Sequence, residues 1–143
     1  MAKSSAVVYF SVYGGTKKLA QEIASQTESD IFEITPITKY DNDRSHYEIL
    51  TKIAQMEKNG DQRPAIEKID ISPYDIIYIG YPIWWYTFPM AVYTFLESQD
   101  FRGKTIIPFL THEGSRESNT YITLKEKCEG ARILEGLEIP GSK

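Results

Sequence analysis

Three short runs rich in β-branched and aromatic residues, Ala6–Phe10, Asp75–Ile79 and Thr105–Leu110, each lead into a polar or glycine-bearing loop and then into a segment of helical period. Near-continuous apolar runs of this length suit strands buried on both faces, as in parallel sheets covered by helices. From Thr16 to about Ser25, Leu19, Ala20, Ile23 and Ala24 recur at helical spacing, with Thr16 placed to cap the start. His46–Lys58 repeats the period up to a stop at Gly60, and stretches from about Phe88 to Ser98 and from Thr120 to Glu129 supply two more helices. Asp30–Ile34 alternates apolar and acidic residues before Pro36, as a half-buried strand near an edge does. Ala131–Leu134 with Leu137–Ile139 reads as a last strand region, and Asp61–Pro73 as a connection over the surface. The order βαβαβαβαβ predicts one three-layer α/β domain over residues 1–143, a parallel sheet with helices on both faces and right-handed crossovers. Pro108 is the one discordant residue, since a central strand tolerates proline poorly.

Composition removes several function classes. Sixteen basic and twenty acidic side chains leave a net charge of −4, with no basic field to hold a nucleic acid. The single cysteine, Cys128, excludes an internal disulfide and reads as a small buried hydrophobe; two histidines are too few for a typical zinc site. Met1–Ser5 leads into an apolar run too short for a signal-peptide core, so a reducing cytoplasm is the expected location. Ile76–Leu96 carries no charge and approaches the length of a membrane span, but Gly80, Pro82 and Pro89 divide it into strand, loop and helix. That window holds eight of the eighteen aromatic residues of the chain, clustered around a loop.

In open parallel sheets, ligands bind outside the carboxyl ends of the strands, where strand order reverses, which selects three loops. Ser11–Thr16 places hydroxyls around Gly14 and Gly15 just before a helix, a cradle suited to phosphate. It matches neither GxxxxGK[ST] nor GxGxxG, and a structural Gly-Gly turn would look the same. Lys17 and Lys18 oppose the helix dipole unless an anion sits there; otherwise they are solvated cations. The second loop, Gly80–Thr87, presents Tyr81, Trp84, Trp85 and Tyr86, aromatic faces able to stack on a planar ring. Adjacent tryptophans point to different sides of an extended loop, so Trp84 is assigned to a ligand and Trp85 to packing. The third, Thr111–Asn119, offers hydroxyls, backbone donors and His112, which reads either as a titrating group beside a ring or as a solvated loop residue.

These loops, in this order, resemble the flavodoxin family, specifically its compact short-chain members. The carriers are Val7–Ser11 with Gly14–Ala20, Arg63–Pro64, Tyr74–Trp85 with Pro89, Phe101–Lys104, Pro108–His112 and Gly114–Ser115. The resemblance implies a five-stranded sheet of order 2-1-3-4-5 and noncovalent binding of flavin mononucleotide (FMN), acting in electron transfer or in a small flavin-dependent oxidoreductase. It implies phosphate contacts from Ser11, Tyr13, Gly14, Gly15 and Thr16, a ring lined by Pro82, Ile83 and Trp84, and a cover from Thr111, His112, Gly114 and Ser115. Similar sequences also carry the proline at position 108. Three departures stand out: Gly15 replaces a common asparagine, Arg116–Asn119 adds bulk and charge to the third loop, and the pattern stops before a last, C-terminal helix. That stop leads to the expectation that a second copy of the chain covers one sheet flank. Arg116, His112 and the modest net charge lead to the expectation of flavin potentials less negative than in strongly acidic relatives.

A direct NAD(P)H or quinone reductase needs room for a second ring, which no residue set demonstrates, so carrier and enzyme both stay open. Redox partner proteins or a small-molecule donor or acceptor are the expected partners. A signalling receiver domain shares the strand order but needs carboxylates for magnesium at strand ends, where this chain has Phe10–Ser11 and Gly80–Tyr81. The remaining alternative is a degenerate flavodoxin fold that has lost FMN and serves as a protein-binding module.

Overall fold

The first apolar run forms β1 (Ser5–Tyr9), buried along its whole length and flanked by a strand on either side in a parallel sheet. The computed structural model describes residues 5–12, 14–38, 40, 43–84, 88–112, 120–134 and 136–140. After β1 come α1 (Gly15–Thr27), β2 (Asp30–Glu33), α2 (Tyr47–Asn59), β3 (Ile76–Pro82), α3 (Met90–Glu97), β4 (Thr105–His112), α4 (Thr120–Lys127), β5 (Arg132–Ile133) and β6 (Leu137–Pro140). Strand order is β2-β1-β3-β4-β5, with β6 also pairing β4, and every pairing is parallel. This is the order 2-1-3-4-5 expected of the flavodoxin-like sheet, its fifth position shared by two short segments.

Parallel register puts paired residues on one face. Ala6, Val8, Ile77, Ile79, Ile106 and Leu110 form the larger core with Ala91, Val92, Phe95 and Leu96 of α3 and Leu124 of α4. Val7, Tyr9 and Phe109 lie on the opposite face under Ala20 and Ala24 of α1. The Phe109 ring covers Gly80 so closely that a Cβ there would sit 2.1 Å from it. Cys128 is buried in the larger core, as expected, and burial pushes its thiol up to about 12.

Pro108 is accommodated by the break between β5 and β6. Thr105 N–H donates to the Asp75 carbonyl, whereas the Lys104 and Ile106 carbonyls accept from Arg132 and Leu134 on the outer side. Residues of a parallel strand alternate in this way, so Pro108 turns its missing donor outward. There β5 has ended at Ile133 and β6 starts only at Leu137. Gly136 crosses the gap so near that a Cβ would lie 1.6 Å from the Pro108 carbonyl oxygen.

Two expectations are corrected. Thr16 does not cap α1: Gly14 is the N-cap, in a left-handed conformation, without a side-chain cap. The segment 61–73 is not only a surface connection, because Ile69 and Ile71 enter the core and Ile66 bridges to Pro36. Its start is pinned by Arg63, whose guanidinium meets Glu97 of α3 at 2.7 Å and lies 4.8 Å from the Tyr93 ring centroid. Lys127 of α4 reaches the other Glu97 oxygen, also at 2.7 Å.

Candidate functional site

Strand order reverses between β1 and β3, and α1 packs on the opposite face of the sheet from α3, the arrangement in which a ligand crevice is expected at the carboxyl edge. The first wall is the turn into α1. Gly14 has φ +100°, a value a side chain rarely adopts, and its N–H donates to Ser11 Oγ at 3.1 Å. Ser11 Oγ thus holds the turn as an acceptor, with its own proton directed elsewhere. The first turn of α1 carries no acidic residue, and Lys17 and Lys18 are exposed there. Backbone N–H groups at a helix start and two nearby ammonium groups together favour an anion.

Thr111, near the end of β4, joins the three strand ends. Its hydroxyl lies 3.0 Å from that of Thr16, and both side chains are buried. Its carbonyl accepts the Ile83 N–H at 2.9 Å, tying the chain beyond β3 to β4. Between two bonded hydroxyls one proton is shared and the second serves a further acceptor. The structure thus brings Ser11 to Gly14, and Thr16 and Ile83 to Thr111.

Pro82, Thr111 and His112 belong to strands, not loops, because β3 and β4 run further than the apolar runs suggest. Tyr81 is likewise not a rim aromatic. It is fully buried, and its hydroxyl donates to Thr120 Oγ1 at 3.0 Å, anchoring the start of α4. Tyr13, Trp85, Tyr86, Gly114, Ser115 and Arg116 lie outside the described residues.

Trp84 is half-buried and packs on two rings that the sequence did not single out as site residues. Phe10 meets it edge to face at 5.4 Å between centroids, and Tyr40 at 5.5 Å. Phe10 and Tyr40 also meet each other edge to face, at 5.8 Å. The Tyr40 hydroxyl donates to Glu57 Oε1 of α2 at 2.6 Å. Burial and the adjacent carboxylate push the Tyr40 phenol well above its usual range, and burial raises the Glu57 carboxyl. Tyr40 opens a polar stretch and reads as loop; a lone aromatic there was the available signal.

An anion-favouring helix start, buried hydroxyls and an aromatic wall at the switch point of a 2-1-3-4-5 sheet define a flavodoxin-like α/β protein. The family profile described as Flavodoxin matches residues 4–143, and the chain belongs to that family. A protein of Bacteroides uniformis provisionally described as a flavoprotein is 34% identical over 100% of this chain and 94% of its own, with a TM-score of 0.86. A Lactobacillus acidophilus flavoprotein, solved in complex with FMN, is 26% identical over 96% of this chain and 93% of its own, TM-score 0.78. Oxidised Flavodoxin 2 of Bacillus cereus, at 22% identity over 99% of this chain and 86% of its own and a TM-score of 0.57, shares the fold. No curated protein matches the chain. No helix among the described residues is long and apolar enough to cross a membrane.

Proposed function

We propose that this chain binds FMN noncovalently at the carboxyl edge of its sheet and carries electrons between redox partners. The observation that carries the reading is Thr111, whose hydroxyl and carbonyl join the α1 turn and the chain beyond β3 at one point. The donors there fit a phosphate: helix-start N–H groups, the Ser11 and Thr16 hydroxyls and two lysines. Trp84, half-buried on Phe10 and Tyr40, fits one side of a flat apolar ring. The flavin, when bound, supplies the redox chemistry. The chain's own residues bind the phosphate, orient the ring and exclude water from it.

The family and the FMN complex of the Lactobacillus relative support this reading over a fold that has lost its ligand. A cytoplasmic location belongs to the same proposal. A second copy of the chain is proposed to cover the α1 face, where Tyr78 and Ile107 stay half-buried; a concentration-independent monomer in sedimentation at micromolar protein overturns that part.

The test is a visible spectrum of purified protein after mixing with FMN and desalting. A retained flavin band with quenched tryptophan fluorescence is expected. No retained band and no quenching at high micromolar FMN would favour the protein-binding module.

A further inference from the structure

Trp84 follows β3 by two residues and makes an isolated β-bridge, and the Ile83 N–H just before it donates to the Thr111 carbonyl, so the backbone there is tied to the sheet while the indole is placed by its neighbours. Its indole is one corner of a closed triangle of rings. Phe10, Tyr40 and Trp84 meet pairwise edge to face, with interplanar angles of 85° to 88°. In such a triangle, turning one ring breaks two contacts at once, so each ring restrains the other two.

The corners differ in how they are themselves held. Phe10 is 1% exposed, and its N–H donates to the Gly80 carbonyl at 2.9 Å, so the sheet fixes it. Tyr40 lies between β2 and α2, outside any element, and its hydrogen bond to Glu57 joins it to a helix anchored through buried Leu50 and Ala54. Among the described ring contacts, Trp84 meets these two, and it packs with them against the larger core. Glu57 is partly buried on α2 beside exposed Ile53 and Met56, and gripping the phenol gives its carboxylate a defined task.

We propose that Tyr40, held by Glu57, is a positioning residue that sets the plane of the Trp84 indole and, through it, the affinity of the site for a flavin ring. This rests on the reading of Trp84 as the ring's wall. Neither Tyr40 nor Glu57 needs to touch the ligand.

The test uses the full chain in a Trp85→Phe background, so that Trp84 is the only tryptophan, with thermal melts to establish folding. Time-resolved anisotropy reads indole motion without ligand, and FMN titration reads affinity. Tyr40→Leu and Glu57→Leu are expected to raise the amplitude of fast indole motion and to weaken FMN binding about five- to tenfold, the scale of one or two lost ring contacts. Glu57→Gln keeps an acceptor for the phenol and is expected to behave as the parent. If Tyr40→Leu does not fold, Tyr40→Phe, which loses only the hydroxyl, carries both readouts. Unchanged indole motion in a folded variant overturns the proposal. So does unchanged FMN affinity in Tyr40→Leu when Trp84→Leu binds FMN more weakly. If Trp84→Leu itself binds FMN like the parent, the reading of Trp84 as the wall fails, and the anisotropy alone then decides whether Tyr40 positions the indole.

Discussion

Single residues bear the tightest constraints at the crevice. Gly14 holds φ +100° with nothing within 4 Å of a would-be Cβ, so its requirement is conformational and not steric. Gly14→Ala is expected to cost about 1–2 kcal/mol in chemical denaturation, the strain of a left-handed residue, and to weaken FMN binding. Gly80 is the opposite case, because a Cβ there meets the buried Phe109 ring. Gly80→Ala is expected to destabilise by about 1–3 kcal/mol through overpacking, and adding Phe109→Leu to recover part of it. A melt in which the double variant is no more stable than Gly80→Ala would contradict this. Thr16→Val removes a buried hydroxyl from Thr111 and is expected to cost about 1 kcal/mol, again with weaker FMN binding.

Between elements, the clamp of Arg63 and Lys127 on Glu97 joins the 61–73 segment and α4 to α3. Hydrogen bonds from Arg63 and then Lys127 lower the Glu97 carboxyl from 4.5 to about 2. A carboxyl held low stabilises the fold above its ordinary value, and that contribution fades as pH falls from about 4.5 toward 2. The Glu97 side chain is 35% exposed, so solvent screening keeps the contribution near about 0.5–1 kcal/mol. Glu97→Gln should therefore be less stable than the parent at pH 7 and approach it in acid; a constant difference from pH 7 to 2 would show that the clamp is not electrostatic. At this scale the sequence was largely readable. Buried strands and amphipathic helices have periods that survive in the chain, and β1, α1, α2 and β3 fall within a few residues of expectation. Strand ends were not readable: Gly80–Pro82 and Thr111–His112 carry loop-like residues, and only pairing with a neighbouring strand makes them β. The Pro108 accommodation was also hidden, because it depends on which way one residue faces and on a break 26 positions later, at Leu134.

For the molecule as a whole, the fold brings the ends of β1, β3 and β4 to one edge and leaves the site to what those ends carry. The hydroxyls, glycines and Trp84 of the candidate site could be named from the sequence because each has a chemistry of its own. Tyr40 and Glu57 were not, since their place beside Trp84 comes from packing α2 onto the sheet. The most direct measurement is a backbone amide shift map of isotope-labelled protein titrated with FMN, with riboflavin, which lacks the phosphate, as the comparison. The account predicts FMN shifts clustered at Gly14–Lys17, Ile83–Trp84 and Thr111–His112, with those at Gly14–Lys17 reduced for riboflavin. Shifts confined to another surface, or the same Gly14–Lys17 shifts with both ligands, would contradict it.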